Sequence, residues 1–120
     1  MTQRLLIVDD NAEFIAAARE LLRRQGVQVV GAASTGAEAC ALAEELRPDA
    51  VLVDVDLGHE SGFDVAQMLV SAGPATVILI SAYDAADLSE LVRSSAAVGF
   101  LSKSDLSATA ILDVLAGSRG

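Results

Sequence analysis

The chain has 120 residues, and 17 Asp and Glu against 8 Lys and Arg give it a formal net charge of −9. This acidic balance argues against nucleic acid or an anionic membrane as a partner of this domain, because both are bound through basic surfaces. Hydrophobic residues make up 52% and aromatic residues 3%, so the chain can bury a core but has too few rings to stack nucleic-acid bases. We expect one folded domain over residues 1–120.

The single cysteine and the first residues of the chain indicate the cellular location of the protein. Cys40 cannot form an intramolecular disulfide and has no neighbouring Cys or His with which to make a zinc site. The apolar run 5–8 is far too short for a signal peptide or a membrane span. Both observations predict a cytoplasmic protein that does not enter a membrane.

Five short apolar runs predict the strands of a parallel sheet. They lie at residues 5–8, 27–33, 50–53, 76–80 and 98–101. Runs that are apolar on both faces are typical of a central parallel sheet covered by helices. Between and after them, apolar residues recur every three or four positions, which predicts five helices. The pattern is therefore a (βα)5 α/β fold, doubly wound, with helices on both faces.

Local signals mark several helix ends. Gly26 follows the first helical stripe, where a left-handed turn is expected. Thr35 and Glu38 have the spacing of a capping box at the start of the second helix, and Pro48 follows its end. Leu88, Leu91 and Val92 predict the fourth helix, and Ala110, Ile111, Val114 and Leu115 predict the fifth.

Candidate site residues end or follow four of the five predicted strands. They are Asp9 and Asp10 after the first strand, Asp54 after the third, Ser81 after the fourth and Lys103 after the fifth. In doubly wound sheets, ligands bind outside the carboxyl ends of the strands. We therefore expect three carboxylates, a hydroxyl and the chain's only lysine to converge at this edge of the sheet.

Three neighbouring carboxylates repel one another unless a cation is present. Mg²⁺ prefers oxygen ligands, which predicts Asp10 and Asp54 as direct ligands and Asp9 as a ligand through water. A carboxylate can also act as a nucleophile and form an aspartyl-phosphate. Asp54 is the expected acceptor because it ends the central strand, with Lys103 and Ser81 placed to bind phosphoryl oxygens.

Four motifs carry a resemblance to a known family. They are Leu6-Ile7-Val8-Asp9-Asp10, Val51-Leu52-Val53-Asp54, Ser81-Ala82 and Gly99-Phe100-Leu101-Ser102-Lys103. Together they resemble the receiver domain of bacterial two-component response regulators, over essentially the whole chain. The resemblance implies a flavodoxin-like fold in which Asp54 accepts a phosphoryl group from the phosphohistidine of a sensor histidine kinase or phosphotransfer protein.

The resemblance also implies roles for other residues. Mg²⁺ would be held at Asp9, Asp10 and Asp54, with the Asp56 main-chain carbonyl as a further ligand. Ser81 and Phe100 would couple phosphorylation to a change in the surface around the fifth strand. Such a domain catalyses its own phosphorylation and dephosphorylation and is not a conventional enzyme. The Gly99–Lys103 segment, which no proline follows, looks more like receivers attached to helix-turn-helix DNA-binding output domains. The sequence leaves open whether a homodimer forms through the surface of the fifth strand.

Two positions depart from the family pattern. Ser104 follows Lys103, where the family commonly has a proline in a cis peptide, so we expect either a trans bond or a strained one. Gly58 stands four residues after Asp54, where the family often has proline. The first departure lies in the segment that positions Lys103, and the second lies in the loop that follows Asp54.

Other functions fit parts of the pattern. Asp54-Val55-Asp56 resembles the Asp-x-Asp motif of haloacid-dehalogenase-type phosphatases, although that motif follows the first strand in that family. A pseudo-receiver would keep the fold for partner binding without phosphorylation. A dinucleotide site is disfavoured, because Asp9 and Asp10 occupy the first strand–helix turn and would repel a pyrophosphate.

Overall fold

The structure, a computed structural model, describes residues 3–82 and 88–117. Five parallel strands form one sheet in the order β2-β1-β3-β4-β5. The strands are β1 (Arg4–Val8), β2 (Gln28–Ala33), β3 (Ala50–Asp54), β4 (Val77–Ser81) and β5 (Gly99–Ser102). The predicted strands are confirmed to within one residue at each end, and the order is that of a flavodoxin-like doubly wound sheet.

Five α-helices lie within the described residues and connect or follow the strands. They are α1 (Ala12–Arg24), α2 (Gly36–Leu46), α3 (Gly62–Ala72), α4 (Ser89–Arg93) and α5 (Ala108–Gly117). Within the described ranges, no helix is long and apolar enough to cross a membrane. The helices alternate with the strands, so the predicted (βα)5 order is confirmed.

The helices divide between the two faces of the sheet. Leu5 and Ile7 of β1 belong to a buried cluster that α1 and α5 cover, whereas Leu6 and Val8 belong to a second cluster under α2 and α3. Every residue of β3 and β4 is buried. The absence of a polar face in these two strands is thus explained by helices on both sides.

The helix ends follow the sequence signals with one difference. Gly26 has a φ of +84°, as the left-handed turn requires, and the Thr35 hydroxyl accepts a hydrogen bond from the Glu38 N–H at 3.2 Å. The Glu38 carboxylate, however, accepts from the N–H and hydroxyl of Ser34, at 3.2 and 2.9 Å. The second half of the capping box is therefore formed one residue earlier than predicted.

The fourth helix lies at its predicted apolar stripe and is short. It has five residues and none of them is buried. Leu91 is 54% exposed, while Val92 packs against the cluster under α2 and α3. Three apolar residues at helical spacing are thus compatible with little more than one turn, because a stripe indicates a face and not a length.

Candidate functional site

The register of the sheet brings the predicted polar residues together. Val8 pairs with Val53, so Asp9, directly after β1, lies at the same level as Asp54 at the end of β3. Ser81 pairs with Ser102, which puts Lys103 one residue beyond Ser81. A cleft of about 280 Å³ opens at this edge, and its lining consists of Asp10, Asn11, Asp54, Asp56, Gly58, Ser81, Ala82 and Lys103.

The three carboxylates predicted to cluster do so. One oxygen each from Asp9, Asp10 and Asp54 lies within 4.8 Å of the other two. Asp9 is fully buried and Asp54 is 7% exposed, whereas Asp10 is exposed. Main-chain donors hold the buried pair, since Asp9 Oδ1 accepts from the Asn11 N–H at 2.9 Å and Asp54 Oδ1 accepts from the Asp56 N–H at 3.1 Å.

Lys103 reaches over the buried carboxylates. Its Nζ is 2.9 Å from Asp54 Oδ2 and 2.7 Å from Asp9 Oδ2. No described peptide bond is cis, and the residues Lys103–Asp105 form a 3-10 turn directly after β5. The hydroxyl of Ser104 in this turn lies 3.0 Å from the hydroxyl of Ser102 at the end of β5. Of the two expectations for the Lys103–Ser104 peptide bond, the trans bond is confirmed. Lys103 thus reaches the cleft without a proline after it.

Burial and charge act against each other at this site. Burial raises the pKa of Asp54, the hydrogen bonds from Asp56 and Lys103 oppose that rise, and the Asp9 charge adds to it. Burial lowers the pKa of Lys103, but its ion pairs with Asp9 and Asp54 outweigh burial and leave that pKa raised. One ammonium thus serves two buried carboxylates beside the charge of Asp10.

The residues at this edge fit a hard divalent cation. Asp9 Oδ2 is buried and accepts no well-directed hydrogen bond from the described residues, although the Lys103 ammonium lies against it. The clustered donors of Asp9, Asp10 and Asp54 are all carboxylate oxygens, which suit Mg²⁺ or Ca²⁺ and not the softer metals that prefer nitrogen or sulfur. These three residues would hold such an ion.

The other predicted site residues lie at or near the cleft. The exposed Asp56 carboxylate accepts from the Gly58 N–H at 3.0 Å, so this side chain is engaged in its own loop. Ser81 is 1% exposed and lines the cleft. Phe100 lies on β5 opposite Leu79 and packs against the cluster under α2 and α3. Phe100 is thus near the site in sequence but does not line the cleft.

Three features of the site were not predicted from the sequence. The ring of Phe14 lies under the Lys103 ammonium, with its centroid 4.3 Å from Nζ. Gly58 has a φ of +85°, and a Cβ there would lie 3.3 Å from Asp10 Oδ2. Gly62 packs so closely on the main chain that a Cβ would overlap the Asp54 carbonyl oxygen. The one available signal was the position of Phe14, one helical turn after Asp10.

The comparisons with known proteins give the class of this chain. A model of the response regulator receiver domain family matches residues 5–115. The chain therefore belongs to this family of two-component signalling domains, as its motifs indicated, and membership implies a kinase or phosphotransfer partner. The three carboxylates and Lys103 converge at one edge of the sheet, as their positions after the strands predicted.

Individual relatives are similar to parts or all of the chain. The transcriptional regulatory protein PdtaR of Mycobacterium tuberculosis is 36% identical over 101 residues, which cover 84% of this chain and 49% of PdtaR. The chain thus spans about half the length of this curated relative. A LuxR-family response regulator from Aurantimonas sp. SI85-9A1 has a TM-score of 0.85 at 27% identity, covering 98% of this chain and 87% of that one.

A further solved structure is similar over most of the chain. It is a response regulator from Burkholderia pseudomallei with a phosphorylated aspartic acid, a calcium ion and citrate. Its TM-score is 0.78 at 26% identity, and the match covers 94% of this chain and 66% of that one.

Proposed function

We propose that this chain is the phosphoacceptor of a two-component system in the cytoplasm, and that residues 1–120 form a single receiver domain. Asp54 accepts a phosphoryl group from the phosphohistidine of a sensor histidine kinase or phosphotransfer protein. The observation that carries this proposal is the Asp54 carboxylate at the end of the central strand, opening to the cleft between Asp9, Asp10 and Lys103.

The chemistry requires little movement of the acceptor. The Asp56 N–H orients the Asp54 carboxylate, one of whose oxygens attacks phosphorus. The new O–P bond forms as the P–N bond of the phosphohistidine breaks and its electron pair stays on the imidazole nitrogen. Lys103 and Ser81 then bind phosphoryl oxygens. Hydrolysis of the acyl phosphate by water regenerates Asp54 and releases phosphate, so the domain takes part in both directions without being a conventional enzyme.

Mg²⁺ is the proposed cofactor. Asp10 and Asp54 would bind it directly, Asp9 through water, and the Asp56 main-chain carbonyl would be a further ligand. When bound, the ion neutralises negative charge on the carboxylates and on the phosphoryl oxygens. The oxygen-only donor set supports this proposal, as does the similar Burkholderia pseudomallei structure, which holds both a phosphorylated aspartic acid and a calcium ion.

Ser81 and Phe100 are the proposed switch. Ser81 lies in the cleft and pairs in register with Ser102, and Phe100 precedes that pair on β5 by two residues. Movement of the Ser81 hydroxyl toward a phosphoryl group would alter the packing around β5. We propose that this change acts on a DNA-binding output domain in a longer parent chain. The support is that PdtaR, of which the chain covers 49%, is a transcriptional regulatory protein. A homodimer through the β5 surface is the other proposed assembly.

Intact-protein mass spectrometry tests the acceptor. After exposure to acetyl phosphate with Mg²⁺, the chain should gain the mass of one phosphoryl group. Asp54→Asn should gain none, and Asp56→Asn, which keeps the main-chain carbonyl, is the matched control that should still be labelled. Labelling that persists in Asp54→Asn would refute the assignment, and no labelling of the unaltered chain would favour the pseudo-receiver.

The phosphatase alternative has a separate test. The Asp56 carboxylate, its candidate general acid, accepts from Gly58 in the loop, and no feature of the described residues favours that role. Incubation with phosphomonoesters and Mg²⁺ should give no multiple turnover. Many product molecules per chain would overturn the receiver proposal.

A further inference from the structure

The aromatic ring under Lys103 comes from the first turn of α1. Phe14 is partly buried and packs against the cluster under α1 and α5. Its ring centroid lies 4.3 Å from Lys103 Nζ. This is within the distance at which a ring face attracts an ammonium group through its quadrupole.

The position of Phe14 is fixed by the same loop that fixes Asp9. Asn11 caps α1, and its Oδ1 accepts from the Phe14 N–H at 3.1 Å. The Asn11 N–H in turn donates to Asp9 Oδ1 at 2.9 Å. Hydrogen bonds made by Asn11 therefore hold both the Phe14 backbone and the Asp9 carboxylate, and both residues contact Lys103.

A neutral contact matters because a bound cation or a phosphoryl group would change the charged contacts of Lys103. A cation held by the carboxylates of Asp9 and Asp54 weakens their attraction for the ammonium, and a phosphoryl group on Asp54 changes the partner that Lys103 meets there. The Phe14 ring has no oxygen for a metal and no charge to lose. Its attraction for the ammonium therefore persists through both events.

The lysine also needs an additional constraint. Its four-carbon stem has many rotamers, and Ser104 stands where the family commonly has proline. Lys103 is nevertheless only 17% exposed at its side chain. A ring on one side and carboxylates on the other leave the ammonium aimed into the cleft.

We propose that Phe14 is a positioning residue, whose ring holds the Lys103 ammonium over the cleft by a cation–π contact before and after Asp54 is phosphorylated. This inference rests on the proposed function for the part that concerns phosphorylation. The contact itself is independent of it, and two measurements separate them.

The first measurement is NMR of lysine-labelled protein, which gives one set of side-chain signals because Lys103 is the only lysine. The ring should shift the ε-methylene protons upfield, and Phe14→Leu should move them downfield. Phe63→Leu, whose ring packs on the opposite face of the sheet, is the matched control and should leave them in place. The upfield shift should remain when beryllium fluoride and Mg²⁺ replace the phosphoryl group.

The second measurement is the rate of labelling by acetyl phosphate in proteins that carry mono-, di- or trifluorinated phenylalanine at position 14. Fluorine withdraws electron density from the ring face with little change in volume. The rate should fall stepwise, by about threefold to tenfold across the series, while Tm stays constant. A ring that only fills space would give equal rates.

The outcomes are distinct. Lys103 signals that do not move in Phe14→Leu, or equal rates across the fluorinated series, overturn the inference. A chain that shows the NMR shift but is not labelled on Asp54 keeps the contact and loses the proposed function, so positioning for phosphoryl transfer falls with it.

Discussion

At the residue scale, Asp54 carries a charge that its surroundings compensate only in part. Burial raises its pKa even though the Asp56 N–H and Lys103 both favour the ionised form. The ionised carboxylate is therefore less stable in the folded chain than in the unfolded one. A carboxylate whose charge is costly to bury is typical of functional sites.

Replacement of Asp54 by Asn should consequently raise Tm in metal-free buffer at neutral pH, because the amide oxygen keeps the Asp56 bond and the buried charge is removed. The ordinary pKa of the group is 3.8. The pKa of Asp54 is higher in the folded chain. As the pH rises from the ordinary pKa through the folded pKa, ionisation of Asp54 therefore lowers the free energy of unfolding, and this loss is absent at about pH 3. Thermal melts of Asp54→Asn and the unaltered chain should therefore differ at neutral pH and converge at about pH 3.

Asp113→Asn is the control for that comparison, since Asp113 is an exposed residue on α5. It should leave Tm nearly unchanged at both pH values. A lower Tm for Asp54→Asn at neutral pH would show that the ion pair with Lys103 outweighs the cost of burial.

Gly62 is required by a close approach of main chain. A Cβ there would overlap the Asp54 carbonyl oxygen and lie 2.6 Å from the Val55 Cα. Because these neighbours are main-chain atoms, Gly62→Ala should lower the free energy of unfolding by about 3 kcal/mol. Urea unfolding measures the loss. Gly73→Ala, with no atom within 4 Å of its Cβ position and an extended φ of 170°, should stay within about 0.5 kcal/mol; equal losses would contradict this account.

At the element scale, the loop between β3 and α3 connects the strand that ends in Asp54 to α2. Asp56 and Ser61 form an antiparallel bridge across the loop. The Glu60 carboxylate then accepts from the Gly36 N–H, at the first residue of α2, at 2.6 Å. Glu60 thus supplies an acceptor that the free end of α2 would otherwise lack.

Glu60→Ala should lower the free energy of unfolding by about 1 kcal/mol, because it leaves the Gly36 N–H without this acceptor. Glu60→Gln keeps a carbonyl oxygen at the same place and should recover most of the loss. Urea unfolding of the two variants measures the difference. Equal stability of Ala and Gln would show that the contact contributes nothing.

Features that depend on the order of the strands could be predicted from the sequence. Contacts between residues that are distant in the sequence, or that depend on the direction of a side chain, could not. Asp9, Asp54 and Lys103 could be placed together because the carboxyl ends of parallel strands share one edge of a sheet. The contact of Phe14 with Lys103 depends on a side-chain direction, and the bond from Gly36 to Glu60 depends on a separation of 24 residues. The bond to Glu60 leaves no local pattern, and Phe14 offers only its position four residues after Asp10, which does not reveal the contact.

At the scale of the whole molecule, the net charge of −9 has a local and a general part. The cluster of Asp9, Asp10, Asp54 and Lys103 contributes −2 of it, which is the charge that one divalent cation neutralises. The remainder is spread over the rest of the chain and opposes association with nucleic acid. Binding of a cation should thus relieve repulsion at one edge of an otherwise acidic domain.

Mg²⁺ should therefore stabilise the folded chain. A ligand that binds only the folded state at 100 times its Kd adds about 2.7 kcal/mol to the free energy of unfolding. Thermal melts over a Mg²⁺ titration should show a rising Tm in the unaltered chain and in Asp113→Asn. Asp10→Asn should lose most of this rise, because Asp10 is the exposed member of the carboxylate cluster and its replacement removes a ligand without disturbing the core. The same rise in Asp10→Asn as in Asp113→Asn would mean that Mg²⁺ acts by general screening of the acidic surface and not at the cleft.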